Sequence, residues 1–199
     1  MSLSEDQAPS FLGPLEGKTA TFLLGGRDAN LGFARTVMHA LATARLPCVI
    51  LDLDAFYSTN ADLIFRKLPG DLTSFEPRVP APGVDIEAEF SSMFRAEPRA
   101  IVVDSLNSLY HLLSQEDGRS SGRKILFALE ALSQFARANT KPVILSMYKR
   151  EGLAKQARGR SIATLTDVTA SAESDGYRLR ILTEKGTAWP GGSASIRIP

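Results

Sequence analysis

Apolar residues along the chain form short continuous runs, separated by longer stretches in which apolar positions recur every three or four residues. The short runs are typical of strands buried on both faces, and they cover residues 19–24, 48–54, 100–104 and 143–147. The longer stretches predict helices over residues 30–44, 85–95 and 122–139, with a shorter one over 62–68. Asp28 or Asn30 is the expected N-cap of the first helix. Strands that alternate with helices in this order predict right-handed crossovers and a parallel sheet.

The segments outside this alternation carry turn residues or a strand-like period of two. Residues 1–16 hold two prolines and a glycine without any period, so we expect a mobile N-terminal arm or an edge cover, followed by one domain over residues 17–199. Four prolines between residues 69 and 82 predict an irregular surface connection. Alternating patterns near the C-terminus predict strands, the last two paired as an antiparallel hairpin, over residues 164–169, 177–183 and 194–198.

Composition narrows the class of protein without revealing its function. The 199 residues suffice for one domain with a core, and the net charge of +1 gives no overall field that would attract nucleic acid or a membrane. The only cysteine, Cys48, lies in an apolar run, which indicates a core residue of a protein in a reducing compartment. There is no signal peptide and no apolar stretch of membrane-spanning length, so the expected location is the cytoplasm.

Candidate chemistry lies where the predicted strands end, because ligands of open parallel sheets bind at the carboxyl edge. Three features meet there: the turn over residues 25–34, the pair Asp52 and Asp54, and Asp104 with Ser105. Each feature also has a purely structural interpretation. The acids would then end strands or cap turns, Ser105 would cap a following helical segment, and the glycines of the turn would only permit it.

Three segments, taken in order, resemble motifs of one superfamily. Residues 50–57 (Ile-Leu-Asp-Leu-Asp-Ala-Phe-Tyr) resemble its acidic strand end, residues 102–106 (Val-Val-Asp-Ser-Leu) its second nucleotide motif, and residues 177–198 its terminal hairpin. The superfamily is that of RecA, and the chain most resembles the archaeal RadA-type recombinases and their KaiC-like relatives. This resemblance implies a RecA-like three-layer α/β domain, with a central mostly parallel sheet and a C-terminal antiparallel hairpin.

Two acids acquire nucleotide roles under this resemblance. In the superfamily, an acid at the place of Asp54 orients the attacking water, and an acid at the place of Asp104 holds the Mg²⁺ shell. The family's fourth strand ends in a Gln-bearing segment that senses the phosphate, whereas residues 146–149 of this chain read Ser-Met-Tyr-Lys. We therefore interpret Asp54 and Asp104 as relic acidic positions without a catalytic role.

The phosphate-binding loop departs furthest from the family. A working loop reads G-x-x-x-x-G-K-[ST], and its backbone N–H groups, Lys and hydroxyl bind phosphates and Mg²⁺. The relic loop here has Gly25, Gly26 and Gly32 with one residue too many, and Phe33 and Ala34 stand at the Lys and Ser/Thr places. The apolar Phe33 is expected where phosphate oxygens would lie. The sequence thus predicts no ATP hydrolysis, no cofactor and no metal.

The densest positive stretch of the chain follows the fourth predicted strand. It carries five basic residues: Lys149, Arg150, Lys155, Arg158 and Arg160. A second candidate group follows the Asp104 strand and consists of Arg119, Arg123 and Lys124. In the recombinases that the chain resembles, loops at these two places contact single-stranded DNA, and a guanidinium-rich loop suits a phosphate backbone. Tyr148 is a candidate for stacking on a base. An acidic protein partner and a solvated loop without a role are the alternatives.

These features favour a non-catalytic RecA-like paralogue that binds nucleic acid, single-stranded DNA in particular, or a protein partner in recombination, repair or their regulation. The resemblance also implies a homo-oligomer, or an assembly with an active RecA-family protein. One alternative is a weak ATPase that uses Asp54 and Asp104 with a loop supplied by a partner. Another is a scaffold without a nucleic-acid role, like the RecA-like ring subunits of Elongator.

Overall fold

The computed structural model describes residues 11–70, 72–81, 85–116, 121–149 and 165–199. Its strands are β1 Thr19–Leu24, β2 Cys48–Asp52, β3 Phe75–Arg78, β4 Ala100–Asp104, β5 Val143–Tyr148, β6 Val168–Ser174, β7 Arg178–Lys185 and β8 Ser193–Arg197. Its helices are α1 Arg27–Thr43, α2 Phe56–Thr59, α3 Ala61–Phe65, α4 Ile86–Arg95, α5 Leu106–Glu116 and α6 Ser121–Asn139. Single turns of 3₁₀ helix cover Gly13–Leu15, Leu72–Ser74 and Pro190–Gly192.

All of these strands belong to one sheet with the spatial order β3-β2-β4-β5-β1-β6-β7-β8. The pairs from β3 through to β6 are parallel, and β7 and β8 extend the sheet in antiparallel fashion. Apolar side chains fill both faces. One core lies between the sheet and α1, and the other between the sheet and helices α4, α5 and α6. The predicted α/β class, with a mostly parallel sheet and a C-terminal antiparallel hairpin, is confirmed.

Strands β2 and β4 are buried at every position, as expected for parallel strands covered by helices on both faces. Helix α4 begins where Asp85 accepts hydrogen bonds from the backbone N–H groups of Glu87 and Ala88. Helix α6 matches its predicted range within one residue, since its apolar stripe packs on the sheet through Leu129 and Leu132. Where the period of apolar residues was strong, the predicted elements were therefore correct.

Strand β3 and helices α2 and α5 were missing from the prediction. Helix α2 has only four residues, too few to show a helical period in the sequence. Strand β3 lies inside the segment expected to be irregular, and it pairs with β2 at the edge of the sheet, where Pro77 is tolerated because one side needs no ladder hydrogen bond. Helix α5 follows Asp104 directly. Its buried residues Leu106, Leu109 and Leu113 recur at helical spacing, so the signal was present in the sequence.

The strand predicted over 164–169 is also misplaced. Strand β6 covers Val168–Ser174, pairs in parallel with β1, and turns through Asp175 and Gly176 into β7. Its inward residues Val168, Ala170 and Ala172 are small, so the alternation was too weak to fix the boundaries from sequence. Residue 164 lies outside the described part of the chain.

Residues 11–15, which the predicted boundary assigned to an arm, are part of the core. Phe11, Leu12 and Leu15 are buried, and the Phe11 ring stacks on Phe22 at a centroid distance of 5.7 Å. The same ring lies 6.1 Å from that of Trp189. Residues 1–10 lie outside the described residues. None of the helices in the described segments is both long enough and apolar enough to cross a membrane.

Candidate functional site

The carboxyl ends of β1, β2, β4 and β5 meet at one edge of the sheet, because these four strands are parallel and adjacent. The Oγ of Ser105 donates a hydrogen bond to Asp54 Oδ2 at 2.6 Å, and Leu53 N donates to Asp104 O at 2.6 Å. Asp54 and Asp104 therefore lie together at this edge, as predicted. Strand β2 ends at Asp52, so Asp54 lies in the turn that follows it.

The connection between β1 and α1 is only two residues long. Strand β1 ends at Leu24, Gly26 is the N-cap of α1, and the first bond of the helix runs from Asn30 N to Gly26 O at 3.0 Å. The helix thus begins earlier than predicted, and neither Asp28 nor Asn30 caps it. A two-residue connection has too few backbone N–H groups to wrap around a chain of phosphates in the way a full loop does.

The residues aligned with the end of the phosphate loop lie within α1. Phe33 is 1% exposed and its ring packs against Phe22 with centroids 4.8 Å apart, so it points into the core and not toward the sheet edge. The expectation that Phe33 occupies the phosphate position was wrong. Gly32 is also helical. A Cβ there would lie 2.8 Å from Ile198 Cδ1 and 3.1 Å from Ser174 Oγ, so this glycine serves close packing against the C-terminal strands.

Asp104 is buried, and hydrogen bonds from its neighbours occupy one of its oxygens. Its Oδ1 accepts from Ser146 Oγ and from Tyr148 Oη, the latter at 3.4 Å. Burial raises the pKa of this carboxyl to about 7, opposed by the Ser146 hydrogen bond and increased further by the charge of Asp54. Its Oδ2 is buried and has no hydrogen-bond partner among the described residues. A carboxyl that is partly protonated near neutral pH is a weak ligand for Mg²⁺.

The other two acids are engaged by the chain itself. Asp54 accepts hydrogen bonds from the hydroxyls of Ser105 and Ser108, both at the start of α5. Asp52 accepts from the backbone N–H groups of Tyr57 and Ser58 at 3.1 and 2.8 Å and from Ser58 Oγ at 2.8 Å, so it holds the start of α2. The described residues contain no group of three His, Cys, Asp or Glu side chains arranged to hold a metal ion.

Tyr148 bridges the space between the start of α1 and Asp104. Asn30 Nδ2 donates to Tyr148 Oη at 2.8 Å, and that hydroxyl in turn reaches Asp104 Oδ1. Asn30 is 4% exposed, and the backbone N–H of Tyr148 donates to Asn107 Oδ1 at 2.8 Å. Burial raises the pKa of the Tyr148 hydroxyl above its usual range. Tyr148 is therefore half-buried and its hydroxyl is engaged by the chain, so little of the ring is open for the stacking on a base for which it was a candidate.

Asn30, Asn107 and Tyr148 were not identified as a cluster from sequence. Tyr148 is the last residue of β5, whereas Asn30 and Asn107 follow β1 and β4. The pairing of β5 with both β1 and β4 brings the three together. Beside them lies a cavity of about 370 Å³ lined by Gly26, Asn30, Phe56, Asn60, Tyr148 and Lys149, among others. A larger cavity of about 560 Å³ lies away from the acids, against β3 and α3.

The basic residues are described only in part. Lys149 is exposed directly after β5, and its backbone N–H donates to Leu24 O at 3.0 Å. Arg123 is exposed near the start of α6, whereas Lys124 forms an ion pair with Glu87 of α4 at 3.7 Å. The remaining candidates lie outside the described residues: Arg119, Arg150, Lys155, Arg158 and Arg160.

The architecture is similar to that of a solved recombinase. The RadB recombinase crystal structure superimposes with a TM-score of 0.69 at 18% sequence identity, over 93% of this chain and 89% of that one. No protein-family model matches the sequence. No curated protein matches it either. At this identity the likeness establishes the fold, and the chain therefore has the RecA-like fold of the RadB recombinase.

Proposed function

We propose that this protein is a non-catalytic RecA-like paralogue, of RadA-type or KaiC-like descent, that binds nucleic acid in recombination or repair. Single-stranded DNA is the favoured ligand. The observation that carries the first part is the network Asn30–Tyr148–Asp104, which occupies the edge where the superfamily's nucleotide phosphates and Mg²⁺ are expected. Assembly with itself, or with an active RecA-family protein, belongs to the same proposal.

Three features support a non-catalytic role. The connection after β1 is too short to cradle phosphates, the acids Asp54 and Asp104 already accept hydrogen bonds from neighbouring side chains, and the pKa of Asp104 is raised. A nucleotide would have to displace these internal bonds without a lysine to offset its charge. Leaving such groups unpaired costs roughly 1–3 kcal/mol each.

Titration with a fluorescent ATP analogue in the presence of Mg²⁺ tests this part. We expect no low-micromolar affinity and no hydrolysis above background. The double variant Phe33→Lys and Ala34→Thr should not restore binding, because both side chains are buried on the face of α1 that packs against the core. Hydrolysis that disappears in an Asp54→Asn variant would contradict the proposal and favour an ATPase completed by a partner.

Two features support nucleic-acid binding. The basic stretch from Lys149 to Arg160 begins at the carboxyl edge of β5, beside the unusual hydrogen-bond network. Its charge contrasts with a chain whose net charge is only +1, so the positive field is local. A locally basic loop binds phosphate backbones without sequence preference. A scaffold without nucleic-acid affinity remains the competing proposal, and the next experiment separates the two.

The experiment is a salt titration of affinity for a labelled oligonucleotide, with single and double strands in parallel. If three or four basic residues meet phosphates of a single strand, log affinity should fall with log salt at a slope of roughly −2 to −3. Arg158→Ala with Arg160→Ala should flatten this slope by about 1 to 2 for all sequences alike. The matched control is Arg95→Ala with Arg99→Ala, which removes the same charge at exposed positions at the opposite edge of the sheet. No binding at low salt would favour the scaffold.

A further inference from the structure

Three arginines lie on the outer face of the C-terminal hairpin and play no part in the site described above. In β7, Leu179 and Ile181 face the core, so the alternate positions Arg178 and Arg180 face outward. The register of β7 with β8 places Arg197 directly opposite Arg178. All three arginines are exposed.

The charges on this face are unevenly matched. Arg180 lies 3.8 Å from the Asp175 carboxylate and is directly opposite Glu173 of β6, so it has two acidic neighbours. The charge of Arg178 also contributes to lowering the pKa of Asp175, although the two form no ion pair. Among the described residues, Arg178 and Arg197 have no ion pair with a carboxylate. Directly opposed like charges on a sheet destabilise it. The hairpin therefore places two exposed arginines on directly opposite residues, where an anion bound between them would offset the repulsion of like charges.

An exposed aromatic ring lies next to this pair. The side chain of Tyr177 is 83% exposed, although its backbone is held by Ile198 N donating to Tyr177 O at 2.8 Å. The turn before it is fixed by Asp175, whose carboxylate accepts from the backbone N–H groups of Tyr177 and Arg178. These bonds lower the pKa of Asp175, which keeps the turn's acceptor ionised. An exposed ring on an ordered backbone suits stacking with a base.

The outer face of the hairpin lies at the same edge of the sheet as the start of the basic stretch. Tyr148 is level with Leu24 of β1, and the register continues through Ala172 of β6 to Ile181 of β7. Arg180 is therefore about level with Lys149. Three strand spacings of about 4.8 Å separate the two strands, a distance of roughly 14 Å. A groove of about 400 Å³ is lined by Arg180, Leu182, Ser193 and Ser195, with Glu173 as its one acidic residue.

We propose that Tyr177, Arg178 and Arg197 form a second contact for single-stranded nucleic acid, adjacent to the basic stretch. A phosphate lies between the two guanidinium groups, which donate hydrogen bonds to its oxygens, and an unpaired base stacks on Tyr177. This inference rests on the proposed nucleic-acid function and deepens it, because it names where the strand continues. The preference for single strands comes from the ring, since bases within a duplex are not open to it.

The first test is the salt titration with Arg178→Ala and Arg197→Ala together. We expect affinity at 50 mM salt to fall about tenfold and the slope to flatten by about 1.4, since each contact to a single strand contributes ~0.7. The melting temperature should stay the same or rise, because a repulsion is removed. Arg95→Ala with Arg99→Ala is again the control. A parent protein that binds no oligonucleotide overturns both proposals. If the parent binds and the Arg158 and Arg160 variant is weakened, but the Arg178 and Arg197 variant binds like the parent, this inference alone is overturned.

The second test is a Tyr177→Trp variant, whose new indole would be exposed while the native Trp189 is 2% exposed. Single strands should quench the new fluorescence, and the midpoint of quenching should coincide with the midpoint of the binding curve. Double strands should quench it much less. Tyr177→Ala should weaken binding of single strands only. Quenching that is absent, or equal losses for both kinds of strand, would overturn the stacking role. If the double arginine variant binds oligonucleotides as tightly as the parent but binds a phosphopeptide more weakly, the arginine pair serves another kind of partner and the inference is overturned.

Discussion

The three acids at the carboxyl edge are all aspartates at or just after the end of an apolar strand. Their side chains nevertheless differ in burial and in hydrogen-bond partners. Asp52 holds the start of α2, Asp54 accepts from two serines, and Asp104 is buried with one oxygen that lacks a partner among the described residues. The pKa of Asp104 is raised to about 7, chiefly because burial disfavours its charged form. Single-residue chemistry here is thus decided by burial and hydrogen bonds, which the sequence pattern does not contain.

The raised pKa of Asp104 predicts a pH-dependent stability. The folded protein binds the Asp104 proton more tightly than the unfolded chain, whose carboxyl has a pKa near its ordinary value of 3.8. Stability should therefore fall as the pH rises from about 4 to about 7, with a slope of at most ~1.4 kcal/mol per pH unit from this group. Urea unfolding of the parent and of Asp104→Asn at pH 5 and pH 8 measures it. The parent should lose more stability over that interval than the variant, and equal losses would contradict the prediction.

At the scale of elements, the early start of α1 has the largest effect on the candidate site. The helix replaces the loop that the family resemblance implied, and this turns Phe33 into the core and Gly32 against Ile198. The other decisive element is the pair β6 and β7. Strand β6 joins the pair to the parallel sheet through β1. After β7 the backbone approaches the residue before β6 closely at Gly186, where φ is 83° and a Cβ would lie 2.3 Å from Asp167 O.

Substitution of Gly186 tests this packing. Gly186→Ala should destabilise the protein by more than the roughly 1–2 kcal/mol that a left-handed φ costs, because the backbone oxygen of Asp167 cannot move cheaply. The control is Gly176→Ala. That residue has a φ of 88° and nothing within 4 Å of the added Cβ, so only the conformational cost applies. Thermal unfolding of both variants compares them, and similar melting temperatures would show that the approach at Gly186 is not tight.

At the scale of the whole molecule, one hydrophobic core joins the first described residues to the C-terminal strands. Phe11 packs against both Phe22 of β1 and Trp189, which precedes β8. Leu15 is fully buried in the same core. We therefore expect the unit that folds to include residues 11–16, which show no period in the sequence and for which the sequence suggested a mobile arm or an edge cover.

Two shortened chains test that boundary. A chain that begins at residue 17 lacks the buried side chains of Phe11, Leu12 and Leu15, each worth roughly 2–5 kcal/mol by comparison with core truncations. Typical domains have only about 5–15 kcal/mol of stability, so this chain should fold poorly or not at all. A chain that begins at residue 11 isolates the effect of these six residues. Circular dichroism melts of the two chains should differ widely, and coincident curves would place the boundary at residue 17.

The sequence by itself determined the class of fold and the gathering of acids at one edge. Continuous apolar runs define buried parallel strands wherever they occur, so β1, β2, β4 and β5 and their carboxyl ends could be predicted from local patterns alone. Strong helical periods did the same for α4 and α6. These features are local, because whether a residue belongs to a strand or a helix can be predicted from the few residues on either side of it.

The tertiary structure alone decided what occupies that edge. Asn30, Asp104 and Tyr148 are far apart in the chain. Their hydrogen bonds form because β5 pairs with both β1 and β4, and because only two residues connect β1 to α1. The opposition of Arg178 and Arg197 likewise depends on the register of a hairpin. Burial, register and long-range contacts set the protonation of Asp104 and the repulsion between the arginines, because both depend on neighbours that sequence spacing does not specify.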